Sequence, residues 1–281
     1  MTDAHCHPWD LLEFLPNAED ERRKTGTACA ASSWNLKEFE YHENLAKKAR
    51  EEAAPIIFCG FALHPQLAPS CLETVDVSCR QAPLPDCSIS DRYKDLEIVE
   101  MLAAQGRLDA VGETGFDLYS EKFKAAEKIQ DEMFVCHLET AVKYGLPLVL
   151  HLRRAMHKIF PFSGELKKLP AVIFHSWPGT RGEGEALLHR GINAFFSFGA
   201  TVVNNHKEAM RCSAFFPADR ILLETDAPYQ PLRGKTYSSW QDLDAVCKVI
   251  AALRKESGTD GSDQKELEVL TTINFYRAFS K

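Results

Sequence analysis

Asp3-Ala4-His5-Cys6-His7 lies at the start of the chain, and where its two histidines point sets the reading of everything downstream. Side chains alternate along a β-strand, so His5 and His7 share a face. Two neighbouring imidazoles are half of a divalent-metal site. They fall where a first strand would end, just before the turn formers Pro8 and Asp10. A His-x-His pair alone is a common and mostly inert pattern. Its weight depends on the company it keeps.

Strand 1 is expected over residues 1–5, and seven further short apolar runs read the same way: 26–32, 55–63, 108–113, 146–151, 171–175, 191–198 and 220–225. Helical patterns fall between them at 36–53, 122–144, 181–190 and 239–256, with a last helix over 262–279. Strands alternating with helices predict an α/β fold, and eight such units predict a (β/α)8 TIM barrel spanning residues 1–281 as one domain. A doubly wound open sheet is the alternative, but no Gly-x-Gly-x-x-Gly turn follows the first strand. The irregular stretch 66–93, rich in Pro, Ser, Asp and Cys, reads as an insertion loop after strand 3, over the barrel mouth.

Composition bounds the function. With 281 residues, 45% of them hydrophobic, the chain can bury a large core. Its net charge of −7 and pI near 5.8 give no broad basic footprint, which argues against a sequence-specific DNA-binding module. An enzyme that grips a few phosphates with the help of bound cations remains open. Nine cysteines, no charged-then-apolar leader and no run of about 18 apolar residues predict free thiols in a cytoplasmic or nuclear setting, without a membrane. Cys71, Cys79 and Cys87 recur every eight residues without a Cys-x-x-Cys pair, which favours a thiol-bearing loop over a zinc knuckle.

The polar residues at the strand ends carry the chemistry. His64-Pro65 closes strand 3, Glu113 ends strand 4, His151 ends strand 5, His175 ends strand 6 and Asp226 ends strand 8. In a barrel these carboxy-terminal ends open onto one face. His5, His7, His151, His175, Glu113 and Asp226 are therefore expected to converge. Taken singly, each has a plain reading: a satisfied core histidine, or an aspartate holding the turn before Pro228. Taken together, so many ionisable groups on apolar strands would be costly to desolvate without a shared partner, and divalent metal relieves that cost.

The ordered motifs resemble the TatD family of metal-dependent deoxyribonucleases, within the amidohydrolase-like barrel superfamily. They are Asp3-x-His5-x-His7, Gly60-x-x-x-His64-Pro65, Gly112-Glu113-x-Gly115-x-Asp117, His151-x-Arg153-x-Ala155, His175 with Gly179, Glu224-Thr225-Asp226-x-Pro228 and the late Asn274. The resemblance implies a (β/α)8 barrel acting on DNA ends, typically as a 3′–5′ exonuclease with divalent metal, often magnesium. It implies two ions: one on His5, His7, Glu113 and Asp226, the other on Glu113, His151 and His175, with Glu113 bridging. His64 and Arg153 match positions near the substrate phosphate. Imidazole ligands also accept manganese or zinc, so residue types leave the metal open.

General chemistry agrees with those roles. Two ions about 3.5–4 Å apart activate water and stabilise an in-line displacement. Asp226 could orient or deprotonate that water, and Arg153 could grip phosphate or pair with a barrel carboxylate. Trp177-Pro178-Gly179 stands where the family commonly has Phe-Ser-Gly, and Trp177 could stack on a base or fill the core rim. Arg233 and Lys235 are the nearest basic rim, as phosphate contacts or as a solvated loop. Two other functions compete: a barrel hydrolase of a small ester, lactone or amide, and a scaffold binding a protein partner through 66–93, since some fungal relatives of the family are linked to cell-cycle partners.

Overall fold

Each short apolar run pairs with the next one along the chain. In the computed structural model, which describes residues 1–71 and 89–280, the strands are β1 (Thr2–Cys6), β2 (Ala28–Ser33), β3 (Ile57–Phe61), β4 (Ala110–Asp117), β5 (Leu148–Arg153), β6 (Val172–Phe174), β7 (Ala194–Phe198) and β8 (Ile221–Leu223). They lie side by side in chain order, and every pairing is parallel. The ring closes just beyond β8, where His7 N–H donates to Ala227 O (2.7 Å) and Asp226 N–H donates to His5 O (2.9 Å). Asp3 tightens the seam by accepting from the Thr225 N–H (3.0 Å) and hydroxyl (2.6 Å). This is the expected (β/α)8 barrel.

Buried parallel strands are apolar on both faces. Ala4, Ala30, Phe58, Ala110, Val149, Ile173, Phe195 and Leu222 fill the barrel interior, small residues beside large ones. Alternate residues such as Cys29, Ile57, Leu148 and Phe196 pack outward under the helices. The helix Gln264–Phe279 plugs the amino-terminal end, its Phe279 ring stacked 5.7 Å from Phe58. Asn274 ties that helix to the start of β8 by donating to Ala218 O (2.8 Å) and Ile221 O (2.9 Å). The opposite, carboxy-terminal end is the open one.

The expected helices form at Leu36–Glu51, Arg181–His189, Asp242–Ser257 and Gln264–Phe279. Local caps explain their starts: Asn35 accepts from Glu38 N–H, and Thr180 with Glu183 makes a capping box. The 122–144 segment is two helices, Glu121–Ala125 and Glu127–Tyr144. The expected loop over 66–93 needs a larger correction. Pro65–Cys71 is a 3-10 helix, and a helix Ile89–Ala104 already runs through 93. Its helically spaced Val99, Leu102 and Ala103 are buried and anchor the later turns of that helix in the core. Residues 72–88, with Cys79, Cys87 and most of the expected partner surface, lie outside the described residues.

Two buried histidines pin the loops after β1 and β3. Leu63 N–H donates to Nε2 of His137 (3.3 Å), whose Nδ1 lies 2.7 Å from the Thr114 hydroxyl. A backbone N–H only donates, so Nε2 is the acceptor and the ring proton sits on Nδ1. His42 repeats the pattern, with Trp9 N–H on Nε2 (3.1 Å) and Ser33 Oγ beside Nδ1 (2.8 Å). Burial pushes both rings down to about 3 from an ordinary 6.5. Below 6.5 the unfolded chain takes up protons that the folded rings refuse. Their contribution to stability is therefore lost as pH falls from 6.5 towards 3. Replacing His137 by glutamine is expected to flatten the pH dependence of urea unfolding in this window by about 1.4 kcal/mol per pH unit at its steepest. An unchanged slope would mean that the folded ring already carries the extra proton.

Candidate metal centre

His5 and Glu113 lie in stretches where the sheet slips register. From Asp3 to Cys6 the chain takes three steps while β2 takes two, from Cys29 to Ala31. From Val111 to Thr114 it again takes three against two on β5, from Leu148 to Leu150. Such irregularities re-aim side chains and gather near active sites. Two glycines make the second one feasible. A Cβ on Gly112 would meet Val149 Cβ at 2.5 Å, and one on Gly115, at φ +134°, would meet His151 O at 2.2 Å. The Gly-Glu-x-Gly spacing thus lets β4 press against β5. Pairing continues through Asp117↔Arg153, so Glu113 and His151 sit within their strands, where the sequence placed them at strand ends.

The expected residues do converge. His5 Nε2 lies 3.1 Å from His7 Nε2, 3.1 Å from Glu113 Oε2 and 3.6 Å from Asp226 Oδ1. His7 Nε2 stands 3.7 Å from the same glutamate oxygen and 3.5 Å from Asp226 Oδ1. The other glutamate oxygen, Oε1, faces His151 Nδ1 (2.6 Å), His64 Nε2 (3.4 Å) and His175 Nε2 (3.4 Å). Glu113 therefore divides its two oxygens between two groups of imidazoles. Asp226 reaches the first group from a left-handed backbone (φ 53°), a conformation that aspartate tolerates better than most residues.

A further layer orients the rings. Ser32 Oγ meets His5 Nδ1 at 3.2 Å, and Glu224 Oε2 meets His175 Nδ1 at 3.2 Å. Asp117 Oδ2 lies 3.4 Å from His151 Nε2 and accepts from Gln66 Nε2 at 2.7 Å. Sequence reasoning gave Asp117 and Glu224 no role, although both stand in the motifs that placed Glu113 and Asp226. The signal available was a second carboxylate two or four residues from a candidate ligand, the usual partner of a ligating imidazole.

Electrostatics follow from burial among opposite charges. Burial pushes the Glu113 carboxyl up, but His5, His64, His175 and His151 hold it well below the usual range. Asp226 is likewise lowered against its burial, by His175, His7 and His5. His175 resists burial and is pushed up to about 10 by Glu224, Glu113 and Asp226. Ligand atoms fall into three overlapping groups, each within 4.8 Å: His5, Glu113 and His175; His5, His7 and Asp226; His64, Glu113 and His151. Converging ring nitrogens and carboxylate oxygens of this kind fit a divalent cation.

Above the cluster lies a cavity of about 920 Å³ whose rim includes Trp34, Gln66, Arg153, Arg154, His206 and Tyr229. His64 lines this cavity, its Nε2 3.4 Å from Glu113 Oε1. Arg153 pairs with no carboxylate among the described residues; its guanidinium stacks 3.7 Å over the Tyr119 ring. Trp177 is a core residue, packed on Phe174, Phe196 and Phe216, which decides against its stacking on a base. Lys235 pairs with Asp242, and neither it nor Arg233 lines the cavity.

A family model of TatD-related DNases matches residues 2–280. The chain belongs to the TatD family. That membership makes it a metal-dependent hydrolase of phosphodiester bonds. It is 33% identical over 184 residues to the 3′-5′ ssDNA/RNA exonuclease TatD of Shigella flexneri, covering 65% of this chain and 70% of that protein. It is 32% identical over 213 residues to the uncharacterized metal-dependent hydrolase YcfH of Escherichia coli K12, covering 74% of each. Alignments to such relatives span from 51% to 74% of their length. The fold matches the crystal structure of YJJV, a TatD homolog from Escherichia coli K12, with a TM-score of 0.74 at 24% identity, over all of this chain and 98% of that one. Among the described residues no helix is long and apolar enough to cross a membrane.

If His175 is a ligand, an ion bound to it displaces the proton that Glu224, Glu113 and Asp226 keep on its ring up to about pH 10. Manganese binding to the metal-free protein is accordingly expected to release a proton at pH 8 and to tighten as pH rises towards 10. Calorimetry in buffers of different ionisation enthalpy measures this. Binding without proton release would place the ion away from His175.

Proposed function

We propose that this chain is a two-metal DNase that trims DNA strands from their 3′ ends. The supporting observation is the division of Glu113, with Oε2 facing His5 and His7 and Oε1 facing His64, His151 and His175. On this reading His5, His7, Glu113 and Asp226 hold one ion, and Glu113, His151 and His175 the other. Magnesium is the first expectation, with manganese or zinc compatible with the imidazoles. When bound, two such ions neutralise the scissile phosphate and make water acidic enough to attack it.

The chain's own residues do the rest. Asp226 would orient the attacking water or take its proton: its lowered carboxyl is ionised, the form in which it can do either. Gln230 Nε2 holds Asp226 Oδ2 at 2.8 Å and is itself linked to Ser176 Oγ at 3.0 Å, which fixes the direction of that carboxylate. His64, pressed against Glu113 Oε1, lies within reach of a phosphate oxygen at the cluster or serves as an extra ligand. Arg153, which pairs with no carboxylate among the described residues and is exposed at the rim, offers a planar fork to a neighbouring phosphate. The hydrolase occupies residues 1–281 as one barrel domain. Buried thiols such as Cys6, Cys29 and Cys59 suit a reducing compartment, cytoplasm or nucleus.

The test follows single-stranded DNA labelled at either end, with magnesium or manganese, beside Glu113→Ala. Early loss of the 3′ label and a shortening 5′-labelled ladder are expected. Glu113→Ala should lose more than about a hundred-fold in rate, beyond what removing an outer partner of a ligand costs. Silence of folded, metal-loaded wild type on DNA, with turnover of small esters instead, would overturn the nuclease reading.

A further inference from the structure

The cavity mouth is chemically lopsided. Trp34 follows β2 and Tyr229 follows β8, the two neighbours of β1, and both rings remain 39% and 49% exposed while lining the cavity. Arg153 and Arg154 stand at the end of β5, four strands from β1 and so across the ring of eight. The metal-competent cluster lies between an aromatic side and a cationic side.

The aromatic side is held in place without being covered. Tyr229 donates its hydroxyl to Asp10 Oδ2 (3.1 Å), and its ring stands edge-on to His7 at 5.3 Å. Trp34 N–H donates to Glu38 Oε2 (3.1 Å), and the helix cap at Asn35 follows directly, so its backbone is fixed. No ring or cation partner covers the Trp34 indole among the described residues. Trp9 shows the contrast: Lys37 lies over its ring at 5.0 Å and Tyr41 meets it in a T-shaped contact at 5.1 Å. Opposite, Arg153 and Arg154 both lie against Tyr119, at 3.7 and 4.5 Å, which orders two cations at the rim.

We infer that Trp34 and Tyr229 form a stacking wall for the terminal base of a single strand, while Arg153 and Arg154 hold phosphates of the strand that remains. This rests on the nuclease reading and adds which end of the substrate lies where. Exposed aromatic rings beside a groove are the usual platform for unpaired bases, because every base has a π-face. The terminal nucleotide brings a single phosphate linkage, whereas the rest of the strand brings many. The paired cations therefore belong with the long side and the rings with the end. A duplex end cannot offer its last base to such a wall without fraying.

The experiment compares two single-stranded oligonucleotides, identical except that one carries an abasic tetrahydrofuran residue at its 3′ terminus. Wild type should show a KM about ten-fold higher on the abasic end, the order of effect expected from losing one base–aromatic stack. Trp34→Ala and Tyr229→Ala should each raise KM several-fold on the normal strand, with the loss in KM rather than kcat, and should shrink the difference between the two strands. Tyr229→Phe keeps the ring and should keep the discrimination. Equal KM for both strands in wild type, or variants that weaken both strands equally, would overturn the stacking wall while leaving the nuclease reading intact. Wild type that cleaves neither strand would defeat both.

Discussion

A single buried carboxylate, Glu113, organises this structure. It lies 5% exposed in the mouth of the barrel, with imidazoles from β1, from beyond β3, from β5 and from beyond β6 around its two oxygens. Burying a charge is costly unless partners meet it. The barrel supplies those partners only because distant parts of the fold agree on position. The register slips in β1 and β4 aim side chains at the centre, and glycines on either side of Glu113 let β4 approach β5. The Asp3–Thr225 seam then brings Asp226, far away in sequence, against His5 and His7.

The helices contribute to the same end. His137 bonds Thr114, the residue after Glu113, and also the loop that leads to His64. His42 does the equivalent for the turn after His7. Both are neutral by geometry, since each Nε2 accepts a backbone N–H. They stiffen the site without adding to its charge. A chain with a net charge of −7 acting on a polyanion must concentrate positive charge locally. On the proposed nuclease reading that would fall to the cations the cluster would hold and to Arg153 and Arg154, which line the cavity.

Much of this was legible in the sequence. Eight apolar runs separated by helical patterns gave the barrel, and each candidate strand overlaps an observed one. That the six candidate ligands meet was also readable, because strand ends in a barrel share a face. The remainder depended on contacts that local pattern does not encode. A register slip is a relation between two strands, so Glu113 looked terminal when it is internal. Trp177 could be placed only once Phe196 and Phe216, tens of residues later, were known to pack on it. Lys235 stood open between a phosphate contact and a solvated loop until Asp242 was seen beside it. Asp117 and Glu224 went without roles because their partners, His151 and His175, come from other strands.

The central claim is that Glu113 is shared between two ions, and manganese stoichiometry with electron paramagnetic resonance tests it most directly. The account predicts two manganese ions per chain with an exchange-coupled spectrum, and loss of that coupling in Glu113→Gln. One ion per chain, or two that remain magnetically independent in wild type, would contradict it.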